Sequence, residues 1–404
     1  CNAQGLPLPP TGLLASFDAQ AFFGPTSPPP ATVALCATPF QIRQQIGQFV
    51  YILDGDAHEV VVVNSNRATV IDRLGLPGTT HSKDCLAISP DLSMLAISNE
   101  GADSVSVLDI DPASSTFHTF IKEISVGNQP KGVAWQPENE DFLVANYGSN
   151  SVSVIAADQL AVRRTVTSGI SGPILVSMST RATWVGGNGL YFGYVVNSSG
   201  TVTVFESGPS EGANAIGFDD MIGSLVDTFP NPQAIIPVTS NIVTGFWIAH
   251  QDSLGYGRVS RVALISDPGI QPLEIPAGFF AAPGFRDKEW GVTSYIDSSE
   301  LSSDQPVDLA LDNLVNIGSV GGLASAYNDI PGAQHSGKTL YRVIQGAPVP
   351  VSAPEYLFIA HPSAGIVDVI KMTGLVRVDV DPCTPGTQSI VAPGVSVVAD
   401  YWRQ

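Results

Sequence analysis

Two histidines at the ends of apolar segments are the residues of this chain best suited to bind a metal ion. His250 ends the segment FWIAH and His361 ends YLFIAH, so each stands where a strand is expected to stop. Together with Asp54 or Asp297, which hold the same place in similar segments, they could supply imidazole and carboxylate ligands to zinc. The alternative, which we favour, is that these side chains close turns by bonding the backbone.

Two short acidic segments could instead bind structural calcium through oxygen ligands. They are Asp54-Gly55-Asp56 and Asp109-Ile110-Asp111. Neither continues as an EF-hand loop or an RTX nonapeptide, so solvated turns are the favoured interpretation. The remaining histidines are scattered in loop segments and predict no cofactor site: His58, His81, His118 and His335.

Motifs for catalysis and for redox cofactors are missing from the sequence. It contains no GxSxG nucleophile motif, no CxxC pair and no CxxCH haem attachment. The 404 residues include 18 basic and 37 acidic side chains, a net charge of −19, which would repel nucleic acid. We therefore predict a protein with no catalytic residues and no cofactor that does not bind nucleic acid.

The densest charge cluster of the chain is a candidate partner-binding site. It is the segment FRDKEWG at 285–291. Because only 14% of the residues are charged, such a cluster beside aromatic rings could anchor a protein or a sugar. It could equally be an exposed turn whose charges pair with one another. The candidate contact residues are Phe285, Arg286, Lys288 and Trp290.

The start of the chain predicts its location. A chain that begins with Cys1 resembles a mature bacterial lipoprotein. By that resemblance Cys1 would carry the lipid, 1–48 would be an extended tether, and 49–404 would be the folded domain. The sequence has no apolar run of about 18 residues that could span a membrane. We therefore expect an extracytoplasmic protein, held at the bacterial outer membrane or cell surface only by its N-terminal lipid.

The other three cysteines suggest one disulfide. Cys36 and Cys383 both lie in connections rich in Pro and Thr, and an exported protein is expected to oxidise such a pair. Cys85 instead opens the apolar segment CLAISP. We predict a Cys36–Cys383 disulfide and a buried, small apolar role for Cys85.

A repeat organises most of the chain. The segment SVSVLD begins at Ser104, SVSVIA begins 47 residues later at Ser151, and TVTVFE begins a further 50 residues on at Thr201. Each copy reads as an apolar strand, a polar turn and a strand of strict alternation, which is a β-hairpin. With a flanking strand on either side, each repeat has the four strands of a β-propeller blade.

The polar residue that ends the second strand of each repeat serves as a marker. The markers are Asp54, Asn99, Asn146, Asn197, His250, Asp297 and His361. They predict an all-β, seven-bladed propeller. A six-bladed propeller is the alternative, because the segments around Asp297 fit the pattern loosely. The segment 393–402 is expected to complete the N-terminal blade, and the insertions at 207–223 and 313–354 could form binding loops.

The best-preserved repeats resemble the YVTN family of β-propeller repeats. The tetrapeptide that names the family is matched by LAIS at 95–98, LVAN at 143–146 and YVVN at 194–197. The similarity is good over about 83–206 and weaker across the rest of 49–402, where His250 and His361 replace Asn. The resemblance implies a seven-bladed propeller, typical of secreted and surface-layer proteins of bacteria and archaea. It implies no single chemistry.

These observations favour a non-catalytic scaffold over an enzyme. A surface with so few charges is adhesive for a soluble protein, which suggests packing against a partner. We predict a cell-surface or envelope subunit that binds another protein or a glycan and could belong to a larger assembly. The alternative is a propeller hydrolase or lactonase with a metal-assisted site at the axial channel.

Overall fold

The structure is a computed structural model of the chain. It describes residues 39–45, 49–64, 69–82, 84–89, 93–111, 114–136, 140–179, 191–207, 220–237, 245–264, 290–303, 305–311, 356–361, 364, 366–372, 374–378 and 389–391. All regular elements in these ranges are β-strands. A search of the same ranges finds no helix that is long and apolar enough to cross a membrane.

The described strands form six antiparallel sheets, which we number along the chain. Sheet 1 contains β1 (Pro39–Gln45), β2 (Phe49–Asp54), β3 (Glu59–Asn64) and β4 (Thr69–Gly75). Sheet 2 contains β5 (Leu86–Ile88), β6 (Met94–Asn99), β7 (Ser104–Asp109) and β8 (Phe120–Ser125). Sheet 3 contains β9 (Pro130–Trp135), β10 (Asp141–Asn146), β11 (Ser151–Ala156) and β12 (Ala161–Val166).

The later sheets follow the same order, with one addition. Sheet 4 contains β13 (Pro173–Met178), β14 (Phe192–Asn197), β15 (Thr201–Glu206) and β16 (Asp220–Thr228). Sheet 5 contains β17 (Ala234–Pro237), β18 (Gly245–Gln251), β19 (Gly257–Leu264) and β20 (Trp290–Ile296). Sheet 6 contains β21 (Asp308–Leu311), β22 (Tyr356–His361), β23 (Ile366–Lys371), β24 (Val376–Arg377) and β25 (Ser389–Val391). Both β24 and β25 pair with β23.

Strand pairing brings the markers to one edge of each sheet. In sheet 3, Asn146 at the end of β10 pairs with Pro130 at the start of β9 and with Ser151 at the start of β11. The connection from each sheet to the next therefore starts and ends at the same edge as the turn after the second strand. We call the surface formed by these edges the marker face.

The alternating sequence of the middle strands buries both of their faces. In β7, Val105 and Val107 pack into the cluster shared with sheet 3, while Leu108 packs toward sheet 1. The fourth strands are different, since five of the six residues of β12 are exposed. Apolar side chains on both sides of the inner strands thus allow each sheet to pack between two neighbours.

The cores lie between consecutive sheets. In the described residues, five apolar clusters lie between consecutive sheets, one for each pair from sheets 1 and 2 to sheets 5 and 6. Between sheets 2 and 3, the Trp135 ring lies 4.3 Å from the Phe142 ring, and Trp135 Nε1 donates to the carbonyl of Ala87 at 2.8 Å. That bond satisfies the indole N–H inside an apolar interface.

The first strands of consecutive sheets contact one another in turn, from β1 through β5, β9, β13 and β17 to β21. Each sheet therefore places its first strand on the inside and its fourth strand outside. Successive four-stranded meanders arranged in this way are a β-propeller. The predicted all-β propeller fold is confirmed.

The described residues differ in two places from the preferred seven-bladed arrangement. Asp297 follows β20, the fourth strand of sheet 5, so it does not mark a blade of its own. The described residues form six sheets, as in the six-bladed alternative. The position beside β2 that was assigned to 393–402 is held by β1, which begins at Pro39 inside the predicted tether. The segment 393–402 itself lies outside the described residues.

Candidate functional site

Three asparagine markers use their amides to clasp the next strand. The amide nitrogen of each donates to two hydroxyls that are two residues apart on the third strand, and all three asparagines are buried. The pairs are Asn99 with Ser104 and Ser106, Asn146 with Ser151 and Ser153, and Asn197 with Thr201 and Thr203, at 2.8 to 3.4 Å. They hold the hairpin through side chains of the third strand, whereas the sequence suggested bonds to the backbone. Only Asn197 also bonds the backbone, since its Oδ1 accepts from the Ser171 N–H at 3.0 Å.

The two histidine markers take the same structural role. His250 Nδ1 donates to the Gln251 carbonyl at 2.6 Å, which leaves Nε2 to accept from the Ser260 hydroxyl at 2.8 Å. Burial lowers the pKa of His250 to about 4. The imidazole of His361 donates through Nε2 to Asp368 Oδ2 at 3.0 Å. Ser260 and Asp368 stand where sheets 2 to 4 have the second hydroxyl of the clasp.

Asp368 is the centre of a buried polar network in sheet 6. Besides His361, the backbone N–H of Ser302 donates to Asp368 Oδ2 at 2.7 Å and the Ser302 hydroxyl donates to Oδ1 at 2.5 Å. Arg377 Nη1 donates to the same hydroxyl at 2.7 Å and lies 3.7 Å from the carboxylate. Burial alone would raise the pKa of Asp368, but the hydrogen bonds from His361 and Ser302 outweigh it and lower that pKa.

The aspartate markers do not join the histidines. Oδ1 of Asp54 accepts from the backbone N–H of Asp56 and of Ala57, so this marker does close its own turn. Asp297 accepts from Arg258 at 2.7 to 2.9 Å. Among the described residues, no group of three or more His, Cys, Asp or Glu side chains is placed to hold a metal ion.

The second acidic segment proposed for calcium also bonds its own loop. Asp109 Oδ1 accepts from the backbone N–H of Asp111 at 2.9 Å, and Oδ2 accepts from the Thr116 hydroxyl at 2.6 Å. These are the oxygen atoms that calcium would need. The geometry is that of a side-chain-capped turn.

Several predicted residues fall outside the described ranges, and their predictions stay predictions. In the charge cluster, only Trp290 is included, as the first residue of β20. The predicted residues outside the described ranges are Phe285, Arg286, Lys288, Cys1, Cys36, Cys383 and His335. Cys85 is described, and it is fully buried between sheets 1 and 2, as its apolar segment predicted.

His118, which the sequence left without a role, is part of the core between sheets 1 and 2. Its ring stacks on Phe117 at 3.6 Å and meets Phe49 edge-on at 5.1 Å. The Tyr51 hydroxyl lies 3.1 Å from His118 Nε2. Burial lowers the pKa of His118, so this histidine packs as a neutral, hydrogen-bonded ring.

Sequence reasoning missed a group of exposed side chains on the marker face of sheet 5. The exposed fraction is 78% for Leu254, 51% for Tyr256 and 50% for Tyr295. The guanidinium of Arg258 lies over the Tyr295 ring, 4.6 Å from its centre, and is bonded to Asp297. We call Leu254, Tyr256, Arg258 and Tyr295 the sheet-5 patch. The signal was present in DSLGYGR, where a turn that is usually polar carries Leu and Tyr.

The turn that carries the patch is fixed by Asp252. Oδ1 of Asp252 accepts from the backbone N–H of Leu254 at 2.8 Å and of Tyr256 at 3.0 Å. Gly255 between them has φ +87°, which a glycine adopts without strain. These bonds lower the pKa of Asp252 in spite of its desolvation. The backbone at Leu254 and Tyr256 is therefore held in place before any partner arrives.

Comparison with known families matches one model, described as "Lactonase, 7-bladed beta-propeller", over residues 44–170. This match includes most of sheets 1 to 3 and less than half of the chain. No curated protein matches.

Solved structures match over more of the chain. Hydrazine synthase of Kuenenia stuttgartiensis is 17% identical, with a TM-score of 0.54, over 86% of this chain and 82% of that one. A functionally unknown protein from Desulfotomaculum acetoxidans is 14% identical, with a TM-score of 0.49, over 90% and 89% of the two chains. An identity of 17% to hydrazine synthase shows a shared fold alone. The chain is an all-β propeller, and the region that forms its first three sheets is similar in sequence to the seven-bladed lactonase propellers.

Proposed function

We propose that this propeller is a non-catalytic interaction module and that the sheet-5 patch is part of the surface that binds a protein partner. The observation that carries the proposal is the exposure of Leu254 and Tyr256 on an ordered turn, together with the exposed Tyr295 ring beneath Arg258. Tyrosine and arginine are the residues that most often dominate binding energy at protein interfaces.

The order of the turn adds to the binding capacity of the patch. Immobilising a flexible side chain or loop at an interface costs roughly 0.5 to 1.5 kcal/mol per side chain. The hydrogen bonds of Asp252 have already ordered the backbone of this turn, and Arg258 already lies over the Tyr295 ring. A partner that covers the patch would therefore gain apolar contact with little further ordering of the backbone.

The marker residues support a non-catalytic role. His250 and His361 were the candidate ligands of an enzyme site, and each uses ring nitrogen to hold its own sheet. Both are buried. Side chains committed in this way stabilise hairpins and are poorly placed to meet a substrate.

The test compares a patch variant with a matched surface variant. The patch variant is Leu254→Ser with Tyr256→Ser, and the control is Val226→Ser on β16, because Val226 is 77% exposed against 78% for Leu254. Partners are cross-linked to the whole chain in envelope extracts, identified, purified, and titrated against each variant. Loss of a hot spot worth about 2 kcal/mol should weaken the patch variant roughly thirtyfold and leave the control unchanged.

Equal affinity of both variants for the purified partner would remove the patch from the binding surface. Binding of both variants to an immobilised glycan array, with no protein partner retained, would favour a glycan ligand bound elsewhere.

The second candidate is a hydrolase, which the lactonase model over 44–170 favours. Its test is hydrolysis of a panel of lactones by the whole chain, followed through proton release with and without added divalent metal. Turnover above the buffer rate that persists in the patch variant would establish hydrolysis and overturn the non-catalytic proposal.

A further inference from the structure

Two histidines outside the marker set meet where sheet 1 adjoins sheet 2. His58 ends the turn between β2 and β3, and His81 lies in the connection from β4 to β5. Both segments belong to the marker face. The ring centres are 5.8 Å apart and the ring planes are inclined by 45°.

The backbone holds both segments in place. The carbonyl of His58 accepts from the N–H of Leu76 at 2.7 Å. Next to His81, the carbonyl of Thr80 accepts from the N–H of Gly101 in the following sheet at 3.2 Å. The approach of the two imidazoles is therefore fixed by main-chain contacts, independently of any bond between the rings.

Three ring nitrogens of this histidine pair lack hydrogen-bond partners. Nδ1 of His58 and both ring nitrogens of His81 are buried from solvent and make no hydrogen bond of normal geometry. His81 as a whole is only 7% exposed. The Ser98 backbone lies near the His81 ring and favours its protonated form, but falls short of hydrogen-bond geometry. Buried polar atoms in native proteins almost always have a partner, so these nitrogens call for a ligand.

The spacing of the rings fits a shared ion. A zinc ion lies about 2 Å from each imidazole nitrogen, so two imidazoles on one ion have ring centres roughly 5 to 6.5 Å apart. The observed 5.8 Å falls within that range.

The protonation state agrees with this role. Burial lowers the pKa of His81, and positive charge on His58 would lower it further. The neutral His81 imidazole therefore has a lone pair available for coordination at neutral pH.

We propose that His58 and His81 together bind a divalent transition metal ion of the zinc or copper class on the marker face. Imidazole nitrogen is a ligand that these ions prefer, whereas calcium and magnesium prefer oxygen. No third His, Cys, Asp or Glu of the described residues completes the set. Water or an anion would fill the remaining coordination positions.

The test uses Zn²⁺ as the probe and the whole chain as the protein. Isothermal titration at pH 7.5 should give a zinc site in the wild-type chain. His58→Ala and His81→Ala should each weaken that site at least tenfold. The matched control is His250→Asn, which also removes a histidine. It introduces asparagine, the residue that holds this position in sheets 2 to 4. Its zinc affinity should equal that of the wild type.

Two results would overturn the proposal. One is the absence of zinc binding in the wild type. The other is wild-type affinity in His58→Ala, which shows that the ion sits elsewhere in the chain. Because His58 is only partly buried, this variant remains decisive if His81→Ala fails to fold, and circular dichroism checks the fold of each. Loss of zinc binding leaves the protein-partner assay untouched, so the two proposals fail separately.

Discussion

The carboxylate of Asp368 should be the most sensitive polar group of sheet 6, and Asp368→Asn tests this with almost no change in shape. A carboxylate only accepts hydrogen bonds, and here it faces donors from His361 and from both the backbone and the side chain of Ser302. An asparagine must present its own NH₂ to one of these donors. The NH₂ group then repels the donor that the carboxylate oxygen had accepted from, and the negative charge beside Arg377 is lost.

The size of the effect follows from burial. The side chains of Asp368 and His361 are both 0% exposed, so solvent cannot replace the lost bonds. Leaving a buried donor unsatisfied costs about 1 to 3 kcal/mol, and we expect about 3 kcal/mol because the new NH₂ group also faces that donor. Urea unfolding at pH 7, followed by tryptophan fluorescence, measures the free energy. The control is Asp158→Asn in an exposed turn, expected to lie within about 0.5 kcal/mol of the wild type.

The pH dependence gives a second check with a definite sign. The folded-state pKa of Asp368 is lowered, so its contribution is fully present above the unfolded-state pKa and is lost as pH falls through the folded-state pKa. The difference in stability between wild type and Asp368→Asn should therefore narrow below about pH 4. A variant within 1 kcal/mol of the wild type at pH 7, or a difference that widens in acid, would refute the assignment of this network.

Three further predictions concern the hairpins. Asn146→Ala removes both clasp bonds of sheet 3 inside the core and should cost about 2 kcal/mol in urea unfolding. Gly200→Ala should destabilise far more than Gly255→Ala in thermal melts, since both have φ +87° but only at Gly200 would the new Cβ lie 2.3 Å from the Phe229 carbonyl oxygen; equal melting temperatures would contradict this. Burial keeps His250 neutral down to about pH 4, so wild-type stability should decline as pH falls from about 6.5 toward 4, and His250→Asn should flatten that decline in urea titrations.

Much of the architecture could be predicted because the signal is local. Alternation such as that of Ser104–Asp109 sets a strand with two buried faces, and polar turns at regular spacing set the hairpins. The marker pattern failed at Asp297 because a fourth strand and a second strand look alike in sequence. Both are short apolar segments that end at a polar turn, and only the pairing of β20 with β19 distinguishes them.

The candidate sites were less predictable, because they depend on which segments meet. His250 and His361 looked like ligands, yet each is bonded within its own hairpin. His58 and His81 are 23 residues apart and share no motif. The exposed Tyr256 precedes β19 and the exposed Tyr295 lies in β20, and a long connection joins these two strands.

The amino-acid sequence by itself determined the all-β class, the four-stranded repeat and the burial of Cys85, because period-two alternation and turn residues act within a few positions of the chain. The tertiary structure decided the rest. It determined that β1 lies beside β2, that Asp368 collects donors from a connection 66 residues away, and that His58 meets His81. Such contacts depend on the packing of one sheet against the next and on sheet register, which the spacing of residues along the chain does not contain.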